Sequence, residues 1–367
     1  MTTLLQLFLL QIISLIVVRA NPTLHLKYVT VVFRHGARAP DTNGAERFPN
    51  DPFLQDDFFP QGVGGLTNEG KIREYELGQL IRHLYGEFLG DIYVPSSVMA
   101  RSTDYERTKM SLQLVLAGLF PPVKVQEWNP ALKWQPMIAN YVPANEDVVM
   151  IPEESPQYLR EFKRVKNLPE VRKKLSVFHD FLKNLTLWTG KSMKTANDMF
   201  NLYHALMAES SMGLALPPWA TDIFPKGLLL NGTLLEYDIV SYNENLRRLN
   251  GGMLLKDIVH TITSVISGTN KRKISLLSGH ETNIAALLKT LGIYYPHVPE
   301  YSSAIFVELL DDGEEHYIRV RYYLGIPPRV VDKAIPGCDP LCPLPEFLNL
   351  MAGVLPSDEE LMCQKKN

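Results

Sequence analysis

Tyr28-Val29-Thr30-Val31-Val32-Phe33-Arg34-His35-Gly36-Ala37-Arg38-Ala39-Pro40 changes character halfway along its length. The first half is an apolar, β-branched run of the kind that forms a strand buried on both faces. From Arg34 onward it is abruptly polar, with two arginines, a histidine, a glycine and a proline in seven residues. A buried strand that ends this way presents those side chains at its carboxyl edge, where ligands bind in open α/β sheets. Two guanidiniums flanking one imidazole suit a dianion such as phosphate, because Arg offers planar forked donors. Gly36 lets the backbone turn sharply or approach closely.

Two segments downstream repeat the arrangement. Ser97-Val98-Met99-Ala100 reads as a second core strand running into Arg101-Ser102-Thr103-Asp104-Tyr105-Glu106-Arg107-Thr108. Ser102 or Thr103 would cap the next helix, and Asp104 and Glu106 favour its positive end. Arg101 would then sit at a strand-to-helix junction on the same edge as His35. Lys273-Ile274-Ser275-Leu276-Leu277 reads as a third strand, ending in Ser278-Gly279-His280-Glu281-Thr282-Asn283 before the apolar helix Ile284 to Leu291. Helix N-termini also attract anions.

Around these motifs the pattern is that of an α/β chain with a helical interruption. Asp41 to Gly65 is a long loop rich in Pro, Gly, Asp and Phe that would border the pocket. Thr67-Asn68-Glu69 caps a helix whose apolar face is Ile72, Leu77, Leu80, Ile81, Leu84 and Phe88. Helical stretches near Gln157 to Leu185 and Asp198 to Met212 are separated by breakers such as Pro217-Pro218-Trp219, with no clear strand run. Residues 151–245 therefore read as a helical insertion between two parts of an α/β domain, 21–150 and 246–367. Ile305 to Leu310 and His316 to Tyr323 bracket Asp311-Asp312-Gly313 as a β-hairpin.

The chain has 367 residues, 46% of them hydrophobic, enough for one large domain or two. A net charge of -3 gives no electrostatic footprint for nucleic acid. Leu4 to Val18 is apolar but for Gln6, Gln11 and Ser14, and Val18-Arg19-Ala20 resembles a small-residue cleavage site. Residues 1–20 read as a secretory signal peptide, shorter than a spanning helix needs. A secreted chain is expected, without a membrane attachment after signal removal. The sequons Asn184-Leu185-Thr186 and Asn231-Gly232-Thr233 suit glycosylation. In an oxidising compartment Cys338 and Cys342 are near enough to close a small loop, which leaves Cys363 over. No His or Cys pair with zinc-ligand spacing accompanies them, and no metal is expected.

Arg34-His35-Gly36-Ala37-Arg38-Ala39-Pro40 resembles the RHGxRxP signature of the histidine acid phosphatases. Arg101 to Thr108 resembles the family's RSTxxxRT stretch, and the segment from Cys338, with Pro343-Leu344-Pro345-Glu346-Phe347, resembles its C-terminus. Leu66 to Gly90, Thr108 to Pro122 and Tyr294 to Ser303 are most similar to the insect venom branch. The resemblance implies a phosphoglycerate-mutase-like fold, a mainly parallel sheet flanked by helices with an inserted smaller α-helical domain. It also implies that phosphate monoesters are hydrolysed without a cofactor. His35 would be the nucleophile and Glu281 the proton donor, while Arg34, Arg38, Arg101 and His280 hold the phosphoryl oxygens. Dimerisation is a further family expectation. Most of the family has His-Asp where this chain has His280-Glu281. Relatives also carry a cysteine, bridged to the C-terminal one, where Ser155 stands. Two other readings of the same residues are a catalytically weak, secreted protein that binds phosphate ligands and a phytase-like phosphatase.

Overall fold

The computed structural model describes residues 23–41 and 46–362, so the signal-peptide reading and Cys363 lie outside the described residues. Among them, eight strands follow in chain order: β1 (His25–Arg34), β2 (Val98–Ser102), β3 (Asn140–Tyr141), β4 (Ile274–Gly279), β5 (Ala304–Asp311), β6 (His316–Tyr323), β7 (Val330–Lys333) and β8 (Leu341–Pro343). They form one sheet in the order β3-β2-β4-β1-β5-β6-β7, with β8 added on β6. The half β3-β2-β4-β1 is parallel and carries all three motif-bearing strand ends. The half beyond β1 is an antiparallel meander that includes the expected hairpin β5–β6.

β1 lies inside the sheet and is buried from Tyr28 to Arg34. Tyr28 and Val32 enter the apolar cluster on one face, while Val29, Val31 and Phe33 enter the cluster on the other. With both faces covered, the run is apolar except for Thr30, whose hydroxyl donates to Tyr28 Oη at 2.8 Å. The second face is closed by α1 (Asn68–Leu89) and α2 (Glu106–Leu119). Thr67 caps α1, its hydroxyl accepting from the Gly70 N–H at 3.0 Å. The buried stripe of α1 is Glu74, Leu77, Ile81, Tyr85 and Leu89. Ile72 is exposed, contrary to the periodicity reading, because it lies two residues from Glu74 and so on the opposite side of the helix. α2 begins after Ser102 and Thr103, and neither caps it: Ser102 ends β2, and Tyr105 holds the N-cap position without a side-chain bond.

Six helices occupy the stretch between β3 and the last core helices: α3 (Pro156–Lys166), α4 (Pro169–Ser176), α5 (His179–Thr189), α6 (Ala196–Ser211), α7 (Leu228–Ile239) and α8 (Glu244–Leu249). They pack on an apolar cluster of their own, around Tyr158, Leu185, Leu206, Leu229 and Leu246. Phe48, from the loop after β1, belongs to this cluster and meets Trp219 edge-on at 6.1 Å. Trp219 in turn stacks on Trp188, ring centroids 5.6 Å apart. Ser155 caps α3, its hydroxyl accepting from the Tyr158 N–H at 3.1 Å. The chain then returns to the sheet through α9 (Gly251–Ile266) and α10 (Glu281–Thr290), which cover its first face.

Cys338 and Cys342 are joined in a disulfide. Asn184 and Asn231 are exposed on α5 and α7. No helix among the described residues is long and apolar enough to cross a membrane.

Candidate active site

Register brings the motifs together. Arg34 pairs with Gly279 across β1 and β4, and the His35 N–H donates to the Gly279 carbonyl at 3.0 Å. His280, the next residue, therefore lies beside His35, with ring centroids 5.5 Å apart. On the other side of β4, Ser102 pairs with Ser278, and the Thr103 N–H donates to the Ser278 carbonyl. Parallel strands that end at one level set two histidines from distant segments edge to face.

His35 is 1% exposed. Its Nδ1 lies 2.8 Å from the Gly36 carbonyl oxygen, which can only accept, so Nδ1 carries the hydrogen. Burial, and then the charges of Arg107, Arg34, His280 and Arg38, hold its pKa well below the ordinary histidine value. The ring is neutral, with its lone pair on Nε2. Burial, followed by Arg107, likewise pushes His280 down to about 3. His280 Nε2 lies 2.9 Å from the Thr103 hydroxyl, which donates to Thr108. Thr103 therefore orients this imidazole.

Three arginines surround the histidines, each fixed on one side. Arg34 donates from Nη1 to the Pro299 carbonyl at 2.6 Å and lies over the Tyr301 ring at 4.0 Å. Arg38 forms a bidentate pair with Glu46, at 2.8 and 2.5 Å. Arg107 donates to Asp41 at 2.9 Å and lies over Tyr105. Arg34 Nη2, Arg38 Nε, Arg107 Nε and, from the end of β2, Arg101 Nε are buried without a hydrogen-bond partner. Buried unpaired donors are costly, and guanidinium donors of this kind suit the oxygens of a dianion.

Glu281 opens α10. Its Oε2 lies 3.1 Å from Arg34 Nε and its Oε1 3.7 Å from His204 Nε2. Burial raises its pKa, but Arg34, followed by His204 and His280, outweighs that and holds the carboxyl ionised.

The structure thus gathers Arg34, His35, Arg38, His280 and Glu281 from the residues singled out in the sequence. Arg101 lies near the end of the neighbouring strand β2, its guanidinium pairs with the buried Asp147, and its Nε is buried without a hydrogen-bond partner. Arg107, from the same segment, adds a charge that lowers the pKa of both histidines. Sequence reasoning also missed Glu46, Tyr301 and His204. Arg107 does carry a legible signal, because a cation in the first turn of α2 opposes the helix dipole and calls for another reason to be there.

A family model described as histidine phosphatase superfamily (branch 2) matches residues 25–323. A venom acid phosphatase of Apis mellifera is 46% identical over 359 residues, covering 97% of this chain and 92% of its own. Prostatic acid phosphatase of Homo sapiens is 33% identical, covering 93% of this chain and 89% of its own. Lysosomal acid phosphatase of Homo sapiens is also 33% identical, covering 96% and 83%. Among solved structures, Hafnia alvei phytase in complex with tartrate superposes with a TM-score of 0.67 at 18% identity, covering 94% of this chain and 99% of that one. That likeness concerns the fold alone.

Proposed function

Because the chain belongs to the histidine phosphatase superfamily, branch 2, we propose that it is a secreted acid phosphatase that hydrolyses phosphate monoesters through a phosphohistidine at His35. The observation that carries this reading is a neutral, buried His35 with its lone pair on Nε2, set among guanidinium donors that lack partners. An ordinary histidine, with a pKa of about 6.5, is protonated and non-nucleophilic in mild acid. This one keeps its lone pair there, which suits catalysis at acidic pH. Secretion is supported by the apolar run Leu4 to Val18, the disulfide and the likeness to a venom enzyme.

In the proposed reaction Arg34, Arg38, Arg101 and His280, joined by Arg107, hold the phosphoryl oxygens, and His35 Nε2 attacks phosphorus in line with the ester oxygen. The P–N bond forms as the P–O bond breaks, and Glu281 supplies the proton that the leaving alkoxide needs. Water then attacks the phosphohistidine, gives its proton to Glu281, and the electron pair of the P–N bond returns to Nε2. Positive charge at the phosphoryl group comes from the arginines, which Glu46, Asp41 and the Pro299 carbonyl orient.

The test is turnover of p-nitrophenyl phosphate at mildly acidic pH, with a rapid acid-free quench of labelled substrate. His35→Ala is expected to lower kcat/KM at least about a thousandfold. Trapped label should be stable to alkali and lost in acid, as a phosphoramidate is. Label that survives acid, or an undiminished His35→Ala variant, would overturn the assignment.

A further inference from the structure

His204 is a buried titratable group that the reaction above leaves unused. It lies on α6, among the helices, is 1% exposed, and packs against the rings of Phe200 and Tyr203 at 4.2 and 5.8 Å. Its Nδ1 lies 2.9 Å from the Phe200 carbonyl oxygen, so Nδ1 carries the hydrogen and the neutral ring turns a bare Nε2 the other way. That Nε2 has no hydrogen-bond partner and faces Glu281 Oε1 at 3.7 Å. Two acceptors confront each other at a distance too long for a hydrogen bond. One proton placed between them would turn this into a charge-assisted bond of about 2.8 Å.

We propose that His204 is a positioning residue that shares one proton with Glu281, and that the shared proton is the one passed to the leaving alkoxide. The proposal rests on the phosphatase reading of the site. In the free site that proton is disfavoured on both partners, although Glu281 itself favours it on His204. Burial, then Arg34, disfavours it on His204, and Arg34 outweighs burial to disfavour it on Glu281. The other charged or titratable groups bearing on the pair are Arg38 and Glu46 after β1, Arg107 of α2, Tyr203 of α6, Tyr237 of α7, Tyr301 before β5, and His280. A bound dianion offsets the charge of Arg34, Arg38 and Arg107 together, so substrate binding itself draws a proton onto the pair. As the P–O bond breaks, that proton moves to the ester oxygen and the pair becomes anionic. Water attacking the phosphohistidine then restores it. His204 thus supplies the proton affinity that Glu281 lacks beside Arg34.

Two substrates separate this role from a structural one. For 2-phosphoglycerol the leaving alkoxide must be protonated, whereas p-nitrophenolate leaves without a proton. His204→Leu and His204→Gln are expected to lower kcat/KM for 2-phosphoglycerol roughly 10- to 100-fold. The descending limb of its pH profile should move about one unit toward acid. The kcat/KM for p-nitrophenyl phosphate, which covers the steps only through release of p-nitrophenolate, should stay within about threefold, since that leaving group makes no use of the acid. Gln keeps a donor near the Nε2 position but cannot take up a proton, so a wild-type pH profile in His204→Gln would overturn the proposal. Equal losses on both substrates with unmoved limbs would do the same. A second readout needs no turnover. Sulfate, a dianion throughout this range, should bind the wild-type chain more tightly as pH falls, by up to about tenfold per unit. His204→Gln should shift that dependence toward acid. An identical sulfate profile in the two proteins would overturn proton sharing, whatever the chain does to phosphate esters.

Discussion

At pH 5 an ordinary histidine is mostly protonated and has no lone pair to offer. Burial of His35 and the charges of Arg107, Arg34 and Arg38 reverse that order. Of those charges Arg107 has the largest effect on His35, so Arg107→Met should let His35 take up a proton more readily. The acidic limb of kcat/KM for p-nitrophenyl phosphate is expected to move up by about one pH unit. The rate should also fall about a hundredfold or more with the loss of an oxyanion donor. An unmoved limb would show that Arg107 does not tune the nucleophile. Much of this site is legible residue by residue: arginine and histidine at the end of an apolar strand are out of place unless they bind something. Arg101 and Arg107 mark the limit. Both belong to one polar run, and the part Arg107 takes depends on the direction β2 leaves the sheet and the turn at which α2 starts. His204 carries no sequence signal, being a histidine on a largely apolar helix until the fold sets it against Glu281.

The contact between the loop after β1 and the start of α1 is made backbone to backbone. A Cβ on Gly36 would lie 2.4 Å from the Gly70 carbonyl oxygen, and one on Gly70 would lie 2.1 Å from that of Ala37. Gly70→Ala therefore has to push apart the segment that holds Arg34 and Arg38. It should cost roughly 1–3 kcal/mol in urea unfolding and lower kcat/KM with it. Gly86→Ala, on the same helix but meeting only the flexible side chain of Arg82, is the control. It should be neutral or stabilising by up to about 1 kcal/mol, and equal losses in the two variants would refute the close-contact account. Elements with long patterns are readable in advance: β1, β4, the β5–β6 hairpin and the helices flanking Pro217-Pro218. β3, β7 and β8 run for only two to four residues, too short for any alternation to stand out, and exist because a neighbouring strand offers an edge. Register is equally silent in the sequence, although it alone puts His280 beside His35.

Stability of the whole molecule should be greatest in mild acid. Burial pushes the carboxyls of Glu74, Glu209 and Glu236 up to about 8, about 8 and about 7. The folded chain keeps protons there that the unfolded chain releases above its ordinary value of 4.5, so stability falls as pH rises toward 8. Histidines act in the opposite sense. Burial disfavours the protonated form of His35, His204, His280 and His297, pushing the last two down to about 3 and about 4, while the unfolded chain protonates them below 6.5. Their contribution is lost as pH falls through that value, and Glu281, held ionised despite burial, adds to the loss below 4.5. Of these groups only the three acids act above 6.5, and only the histidines and Glu281 act below 4.5. The urea midpoint is therefore expected to peak between those two values, and a peak near pH 8 would contradict the burial of these acids.

The tryptophan stack has an optical consequence. Of the four tryptophans, Trp128 and Trp134 are exposed, and neither sheet-flanking cluster holds any. Trp188 and Trp219 lie face to face, and indoles held that way couple electronically, giving aromatic-region circular dichroism that only the assembled helices produce. Phe48 leans on Trp219 two residues beyond Glu46, the carboxylate that clamps Arg38. The same spectral band therefore reports whether the loop steadying an active-site arginine is seated on the helices.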